Sequence, residues 1–466
     1  MNLRHKIAFF FWICFASASS ILFAEDIKPQ ENVAPNGEQQ GSPSDKADQK
    51  ESPPKRKKTP LRLEIKEVPL GQVEIEGNIY YKTTFLRRHF GPVLEAPFLH
   101  QNELEQRLRL INEFPDLRVN AILMPGKDLS RTDLLLKVND KRPVHLTLEY
   151  NNFGARVLGD ARLTTTLTWG DLTGHGDRVL LRAATIPNAI VEFPLLQINY
   201  MLPVGLSGTK VHFSYARSRF AVGDDFILLD IDGKSSIYDI MVTHPWARLT
   251  NRSIDMMHSV SAKREMISDI DQVTFDNKIQ SISLGVNWSE QWSPRHRLVT
   301  AGTLTQGFGK NLGVRYQAAK INFNMKDDLV LNSRFSLQSK VAGQLSNTSL
   351  LLSDQFTIGG IDSVRGFTQG EGVGDNGATT GMELRLSLDQ QGRFATVGFI
   401  DHGSAFLRNA QPGQRSHTAL TGMGIGLRAA FLPYLFGRID LGIPVSPSKN
   451  ADHKGIVAYA QVACEF

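Results

Sequence analysis

From residue 141 to the C-terminus, hydrophobic residues of this 466-residue chain recur at every second position, and this alternation limits the possible folds more than any other feature. In segment 382–389, Met382, Leu384, Leu386 and Leu388 alternate with Glu383, Arg385, Ser387 and Asp389. About sixteen segments share this pattern, each about 10 residues long. A period of two puts the apolar side chains on one face of a strand, so region 141–466 is predicted to be mainly β.

Two architectures produce such alternation. A soluble β-sandwich turns its apolar face inward, whereas a membrane barrel turns it toward lipid and keeps polar residues in a wet lumen. About sixteen segments of about 20 residues, connections included, suit a barrel, and an even number lets an antiparallel barrel close. We therefore predict an antiparallel transmembrane β-barrel of about 16 strands. A helical membrane bundle is excluded because only one long uncharged run exists, at 7–24.

The N-terminus has the pattern of an export signal. Arg4, His5 and Lys6 precede the apolar stretch 7–15, and a small-residue cleavage end follows at 16–18 or at Ala24. We predict a signal peptide at 1–24, with an uncleaved membrane anchor as the alternative. Residues 25–60 are rich in Pro, Gly, Gln and charge, and are predicted to be a disordered linker because they offer almost nothing apolar to bury.

Region 61–140 has a different pattern. Val73 and Ile75 indicate a strand that ends at a Gly-Asn turn. Asn102 with Glu105 resembles a capping box, and Leu104, Leu108 and Ile111 follow at helical spacing. Two further alternating segments end the region. The predicted order is strand, helix, helix, strand, strand, which makes a small α+β module.

The longest break in the strand pattern is the glycine-rich segment 350–377. A phosphate-binding loop would need a strand before it and a helix after it, and this combined context is absent here. A long loop inside a compact body is usually functional, so we expect this one to fold back and pack.

Two motifs in this part of the chain resemble those of the outer-membrane assembly and secretion superfamily. Gly359, Gly360, Val364, Arg365, Gly366 and Phe367 resemble its conserved loop, and Phe399, Asp401 and Gly403 resemble its second motif. Segments 151–154 and 172–177 resemble the barrel entrance of the haemolysin secretion/activation family. Region 61–140 resembles that family's polypeptide-transport-associated (POTRA) module.

The resemblance implies the transporter half of a two-partner (type V) secretion system. A sixteen-stranded barrel would lie in the outer membrane, and a periplasmic POTRA module would receive an unfolded exoprotein. The long loop would enter the lumen, where Arg365 would meet Asp401. The family normally carries two POTRA modules and an N-terminal plug helix, whereas this sequence shows one module and a polar linker. The implied partners are the secreted exoprotein, outer-membrane lipid and the barrel insertion machinery.

The C-terminus ends on an aromatic residue. Val462, Cys464 and Phe466 share one face, as in a lipid-facing closing strand, whereas Tyr459 lies on the opposite face. Outer-membrane proteins commonly end in phenylalanine, so Phe466 is a candidate insertion signal.

No catalytic constellation is present in the sequence, and the chain is not expected to be an enzyme. The two cysteines and twelve histidines have no metal-ligand spacing, so neither a metal nor another cofactor is expected. A net charge of +5 is too balanced for nucleic-acid binding. The predicted function is export of a large unfolded exoprotein. The alternatives are an outer-membrane assembly factor and a plain diffusion porin or adhesin.

Overall fold

The computed structural model describes residues 68–128, 130–154, 159–187, 195–221, 232–269, 272–446 and 455–466. The predicted signal peptide and linker lie outside these ranges. The described chain forms a small α+β module followed by a closed barrel.

The module is built from β1 (Val68–Glu76), α1 (Thr83–Leu94), β2 (Phe98–Leu99), α2 (Gln101–Ile111), β3 (Leu117–Pro125) and β4 (Thr132–Asp140). Its sheet has the order β2-β1-β4-β3, with β1 parallel to β4. The helices cover one face of the sheet and bury Leu86, Phe90, Ile111, Leu134 and Leu136. Neither helix is long and apolar enough to cross a membrane in the described part of the chain.

The capping box predicted at Asn102 is wrong. Helix α2 begins at Gln101, one residue earlier, and its N-cap, His100, makes no side-chain cap hydrogen bond. Gln101 instead donates a hydrogen bond to Glu105 across the first turn, at 2.9 Å. An i, i+4 side-chain pair therefore occupies the glutamate that a capping box would use.

His89, on helix α1, should make the stability of the module depend on pH. Burial and the neighbouring Arg107 lower its pKa to about 4. Between pH 6.5 and about 4, His89 is protonated in the unfolded state but stays neutral in the folded state. The free energy of unfolding therefore falls as the pH falls. The loss should reach roughly 3 kcal/mol.

This loss of stability can be measured by urea unfolding of the full chain at several pH values in this range. The unfolding is monitored with a spectroscopic probe attached to the module. The uncharged variant His89→Gln should flatten the pH dependence. An unchanged slope in that variant would mean that another group is responsible.

Sixteen strands close the barrel, and each pairs antiparallel with its neighbours, which confirms the predicted architecture. They are β5 (Val144–Asn151), β6 (Arg162–Gly170), β7 (Arg178–Thr185), β8 (Leu195–Val204), β9 (Thr209–Ala221), β10 (Asp232–Arg248), β11 (Arg252–Asp269), β12 (Gln272–Ser293), β13 (His296–Asn311), β14 (Val314–Val330), β15 (Phe335–Ser346), β18 (Asn376–Ser387), β19 (Phe394–Phe406), β20 (His417–Leu432), β21 (Leu435–Pro444) and β22 (Val457–Glu465). Two short strands, β16 (Phe356–Ile358) and β17 (Gly372–Gly374), lie within the long loop.

The strands are longer in places than the predicted length of about 10 residues, and β12 has 22. A hydrocarbon layer needs only about 9–11 residues of a tilted strand, so the excess extends beyond the membrane. The alternation of apolar and polar residues is clear within the membrane, but it is weak where both faces of a strand contact water. The predicted lengths were therefore too short at the strand ends.

Strand β12 shows which face of the barrel wall is apolar and which is polar. Ile282, Leu284, Val286 and Trp288 point outward and are exposed, as lipid-facing residues would be. Ser281 and Ser283, which alternate with them along the strand, line the lumen. They hydrogen-bond to Ser261 at 2.6 Å and Thr305 at 2.9 Å on the neighbouring strands. The apolar face of the alternation therefore lies outside, as expected of a membrane barrel rather than a sandwich.

Candidate functional site

The lumen is a continuous cavity of about 3470 Å³. Glu113 and Asp116 of the α+β module line it at one end, and Asp354 and Arg365 of the long loop line it further along. Much of the wall between them carries short hydroxyl and amide side chains; they include Thr164, Thr166, Thr168, Asn199, Ser214, Ser259, Thr303 and Asn322. This lining offers hydrogen-bond donors and acceptors to anything that passes through.

The loop folds back on itself as a hairpin inside the barrel. Strands β16 and β17 pair at its base, and Gly359 and Gly360 follow β16 with positive φ angles of 103° and 98°. Gly360 N donates to Val364 O at 3.1 Å and closes the tight turn that carries Arg365. The loop therefore presents the arginine from an internally bonded turn.

Arg365 is buried and makes a bidentate pair with Asp401 on β19. Its Nε and Nη2 donate to the two carboxylate oxygens at 2.7 and 3.0 Å, and its backbone N donates to Oδ2 at 3.2 Å. Nη1 donates to Glu383 on β18 at 2.8 Å. The guanidinium carbon lies 3.5 Å from the centre of the Phe399 ring. One side chain thus spans two adjacent strands by charge-assisted hydrogen bonds and a cation–π contact.

The pair belongs to a larger charged network on the lumen wall. Arg428 on β20 donates to Glu383 at 3.0 Å and to Asp440 at 2.6 Å. Arg438, on the same strand as Asp440, donates to it at 2.7 Å. Asp440 is fully buried. Four neighbouring strands, β18 to β21, thus hold the loop arginine in a network whose carboxylates are all occupied.

Glycines let the loop tip touch the wall. Gly366 has a φ of 97°, and a Cβ there would lie 2.8 Å from the backbone carbon of Ile443. On the wall, a Cβ on Gly422 would overlap the Arg365 carbonyl oxygen, and one on Gly442 would lie 2.5 Å from Gly366 N. Side chains at any of the three positions would push the loop off the wall.

Apolar contacts and one tyrosine complete the docking of the tip. Ile358, Val364 and Phe367 are buried together against Ala405 and Leu420 of the wall. The hydroxyl of Tyr459 on β22 donates to Phe367 O at 2.6 Å and accepts from Gly366 N at 3.1 Å. The tyrosine that departs from the closing-strand pattern is therefore a lumenal residue that binds the loop.

The base of the loop is held by a second ionic cluster on a different part of the wall. Asp354 Oδ1 accepts from Lys263 on β11 at 3.1 Å and from Lys320 on β14 at 3.3 Å. Ser353 accepts from Lys263 at 2.8 Å and donates to Glu265 at 2.8 Å. Burial raises the pKa of Asp354, but the two lysines more than offset this and hold it well below its usual range. The loop thus crosses the lumen between two anchors.

At the other end of the lumen, the α2–β3 connection packs on the barrel rim. Glu113 accepts from Lys210 on β9 and from Arg248 on β10, both at 2.7 Å. Burial raises the pKa of Glu113, but these two cations lower it below the usual value. Asp116 hydrogen-bonds to His145 on β5 at 2.9 Å. Ionic contacts therefore fix the module beside the mouth of the barrel.

Phe466 lies at the seam where the barrel closes. Strand β22 pairs with β5, and the backbone N and O of Phe466 bond to Leu146 at 2.9 and 3.0 Å. Its side chain is exposed and stacks on Tyr434, with ring centres 6.3 Å apart.

Deleting Phe466 should lower the amount of barrel inserted in the membrane, because the deletion removes two seam hydrogen bonds and the terminal aromatic. The measurement is heat-modifiable barrel in membrane fractions, and Phe466→Tyr serves as the conservative control. Undiminished barrel after the deletion would refute an insertion role for this residue.

The structure brings Arg365 and Asp401 together and places Gly366 and Phe367 at the same contact. Sequence reasoning missed Glu383, Arg428 and Asp440 as members of this cluster, and it missed the anchor at Asp354. The sequence feature that could have indicated these residues is a charge on the polar face of a predicted strand, as with Glu383 between Met382 and Leu384. Which of these charges meet depends on strand register, which the sequence does not display.

Comparison with known proteins agrees with this architecture. The sequence model of the family described as haemolysin secretion/activation protein ShlB/FhaC/HecB matches residues 130–429, more than half of the chain. The chain belongs to the haemolysin secretion/activation family. The resemblance stated from the loop and strand motifs is thereby confirmed.

Curated relatives of this chain include two transporters. The heme/hemopexin transporter protein HuxB of Haemophilus influenzae (strain 86-028NP) is 23% identical over 388 residues, which is 77% of this chain and 66% of HuxB. The outer membrane transporter CdiB of Dickeya dadantii (strain 3937) is 24% identical, over 83% of this chain and 71% of CdiB. The chain thus spans slightly less than two thirds of HuxB.

Solved structures show the same fold. CdiB from Escherichia coli superimposes with a TM-score of 0.74 at 20% identity, covering 86% of this chain and 77% of CdiB. BamA from Haemophilus ducreyi, lacking POTRA domains 1–3, gives a TM-score of 0.58 at 12% identity, covering 86% of this chain and 85% of that one. The barrel of this chain lies in the outer membrane, and its α+β module resembles a POTRA module.

Proposed function

We propose that the chain is an outer-membrane pore that exports a large unfolded exoprotein in a two-partner, type V secretion system. The observation that carries this proposal is a polar lumen that opens beside a POTRA-like module and is crossed by a loop anchored at both ends. The family and the named transporters among its relatives support the same reading.

The lumen lining suits an extended polypeptide. Backbone N–H and C=O groups must keep hydrogen bonds while they cross the membrane, and a hydroxyl- and amide-lined wall supplies them. Hydroxyl and amide groups can hydrogen-bond to the backbone of any segment, so this part of the wall favours no single sequence and lets a chain slide past it. This is the chemistry that a passage for unfolded protein needs.

The sheet of the module has an edge strand to which an exoprotein segment could bind. β3 is an edge strand of its sheet, and its residues Ile122, Leu123 and Met124 are exposed. An extended exoprotein segment could add to this edge and gain main-chain hydrogen bonds. Since the opposite end of β3 lies near Asp116 at the barrel rim, the edge leads toward the lumen.

The second candidate is a factor that inserts other outer-membrane barrels, which the BamA likeness favours. Depletion of the chain followed by proteomics of the outer membrane and the medium separates the two functions. Loss of one secreted protein supports export. Loss of many outer-membrane barrels would support the insertion factor instead.

The direct test is deletion of the module, residues 61–140, with the signal and barrel retained. Export of the exoprotein should be lost, while folded barrel persists in the outer membrane. The matched control replaces the exposed Ile122 on the edge strand by Lys, which should weaken export without removing the module. Normal export by the deletion variant would end this proposal.

A further inference from the structure

The turn that follows β1 displays two exposed hydrophobic residues. Ile79 is 79% exposed, the highest value for a large hydrophobic side chain in the described residues, and Tyr80 is 49% exposed. The turn is held firmly: the carboxylate of Asp140 accepts backbone hydrogen bonds from Ile79 at 3.0 Å and from Tyr80 and Tyr81 at 2.8 Å. The structure therefore presents this apolar pair on a fixed scaffold, and little ordering entropy remains to be lost on binding.

The turn lies at the barrel end of the module. β1 and β4 run parallel, so Glu76 and Asp140 end at the same edge, and three residues separate Asp140 from strand β5. Tyr81 faces the rim: it lines the lumen, and a Cβ on Gly170 of β6 would lie 3.8 Å from its hydroxyl. Ile79 and Tyr80 do not line the lumen. Because the next residue, Tyr81, reaches the rim and these two do not line the lumen, we infer that Ile79 and Tyr80 lie at the rim outside its mouth.

Beyond this part of the rim is the lipid-facing surface of the barrel. Trp169, the penultimate residue of β6, pairs with Val144 on the outward face, and Leu172 follows in the next turn; both Trp169 and Leu172 are exposed. Lys82 and Arg142, also exposed, flank the turn. The combination of an aliphatic residue, a tyrosine and adjacent cations is typical of protein segments that lie at a membrane–water interface.

We propose that Ile79 and Tyr80 insert into the phospholipid leaflet on the module side of the membrane and form a lipid anchor for the module. Ile79 would bury its side chain among acyl chains, and Tyr80 would keep its hydroxyl at the headgroups. Lys82 and Arg142 would attract anionic headgroups. With the Glu113 and Asp116 contacts inside the rim, this outer contact would hold the module from both sides of the barrel wall.

The test places an environment-sensitive fluorophore at residue 79. The full chain carries Cys14→Ser, Cys464→Ser and Ile79→Cys, is labelled with NBD, and is reconstituted in vesicles of phosphatidylethanolamine and phosphatidylglycerol. Nitroxide-labelled phospholipid should quench this label several-fold more than the same label at Ile122→Cys, on the exposed edge of β3. A label at Leu163→Cys, on the lipid face of β6, gives the value expected for full lipid contact.

Equal quenching at positions 79 and 122 would overturn the lipid anchor. Shielding of position 79 from both nitroxide lipid and aqueous iodide would also overturn it, because the turn would then be covered by protein, such as residues 1–67. Lipid contact depends on the barrel's membrane location and not on export, so a failed export assay would leave this result standing.

Discussion

Replacing Arg365 by alanine is expected to release the loop tip and to abolish most export. The substitution leaves two buried carboxylates, Asp401 and Glu383, without their shared cation, and such a loss commonly costs about 3–5 kcal/mol. The strand ladder remains closed, so this cost should appear as a displaced loop and not as an unfolded barrel. Single-channel conductance in planar bilayers should therefore change together with the export of the partner.

The individual substitutions at this contact should not be equal in effect. Asp401→Ala leaves Glu383 bound to the arginine, so it should impair the protein less than Arg365→Ala does. The double variant should be hardly worse than Arg365→Ala, because both changes act on one contact. Additive defects, or normal export by Arg365→Ala, would exclude the proposed role of the pair.

A matched control lies between the same two strands. Arg393 and Asp389 form an exposed pair at 3.1 Å in the turn that joins β18 to β19. Exposed pairs contribute about 0–1 kcal/mol, so Arg393→Ala should leave export and conductance unchanged.

Replacing Asp354 by asparagine is expected to free the base of the loop while its tip stays docked. The substitution is isosteric, but it removes the carboxylate that Lys263 and Lys320 share and leaves Lys263 paired with Glu265 alone. We expect larger and more frequent conductance fluctuations, because the hairpin can pivot about Arg365. The pKa of Asp354 is so low that mild acid does not neutralise this group, and a substitution is the right probe.

Two further variants test this second anchor. Lys320→Met removes one of two partners and should have a smaller effect than Asp354→Asn, since Lys263 remains. Asp232→Asn breaks an exposed Asp–Lys pair on β10 and should be silent. A conductance trace of Asp354→Asn that matches the unmodified protein would show that the base is not an anchor.

The alternation in segment 382–389, which lies largely in β18, predicted the barrel once the number of such segments was counted, because each lipid-facing position must be apolar whatever its neighbours are. The contact between Arg365 and Asp401 came from family motifs and not from chemistry. Glu383 and Asp440 could not be assigned, because each is one charge among many on polar faces. Only the register, which sets Glu383 opposite Phe399 and Arg428 opposite Arg438, brings these side chains to one point.

The contacts of Asp354 could not be predicted from the sequence for a different reason. Lys263 and Asp354 are 91 residues apart, and they meet because the loop turns inward instead of projecting from the barrel. A sequence pattern reports the face on which a residue lies, but not the path of a long connection. Tyr459 illustrates the opposite case: its position on the polar face of β22 was visible, and the structure supplied its role.

Tyr459 also imposes an order on the biogenesis of the protein. The loop tip contacts β18, β19, β20, β21 and β22 in turn, through Glu383, Asp401, Gly422, Gly442 and Tyr459. The last of these strands to be synthesised is β22, and its pairing with β21 sets Tyr459 opposite Asp440. Docking of the loop therefore cannot finish before β22 has joined the sheet. A barrel arrested before that step would carry an incompletely docked loop, which a protease could cut, so loop cleavage would report how many newly made molecules have completed assembly.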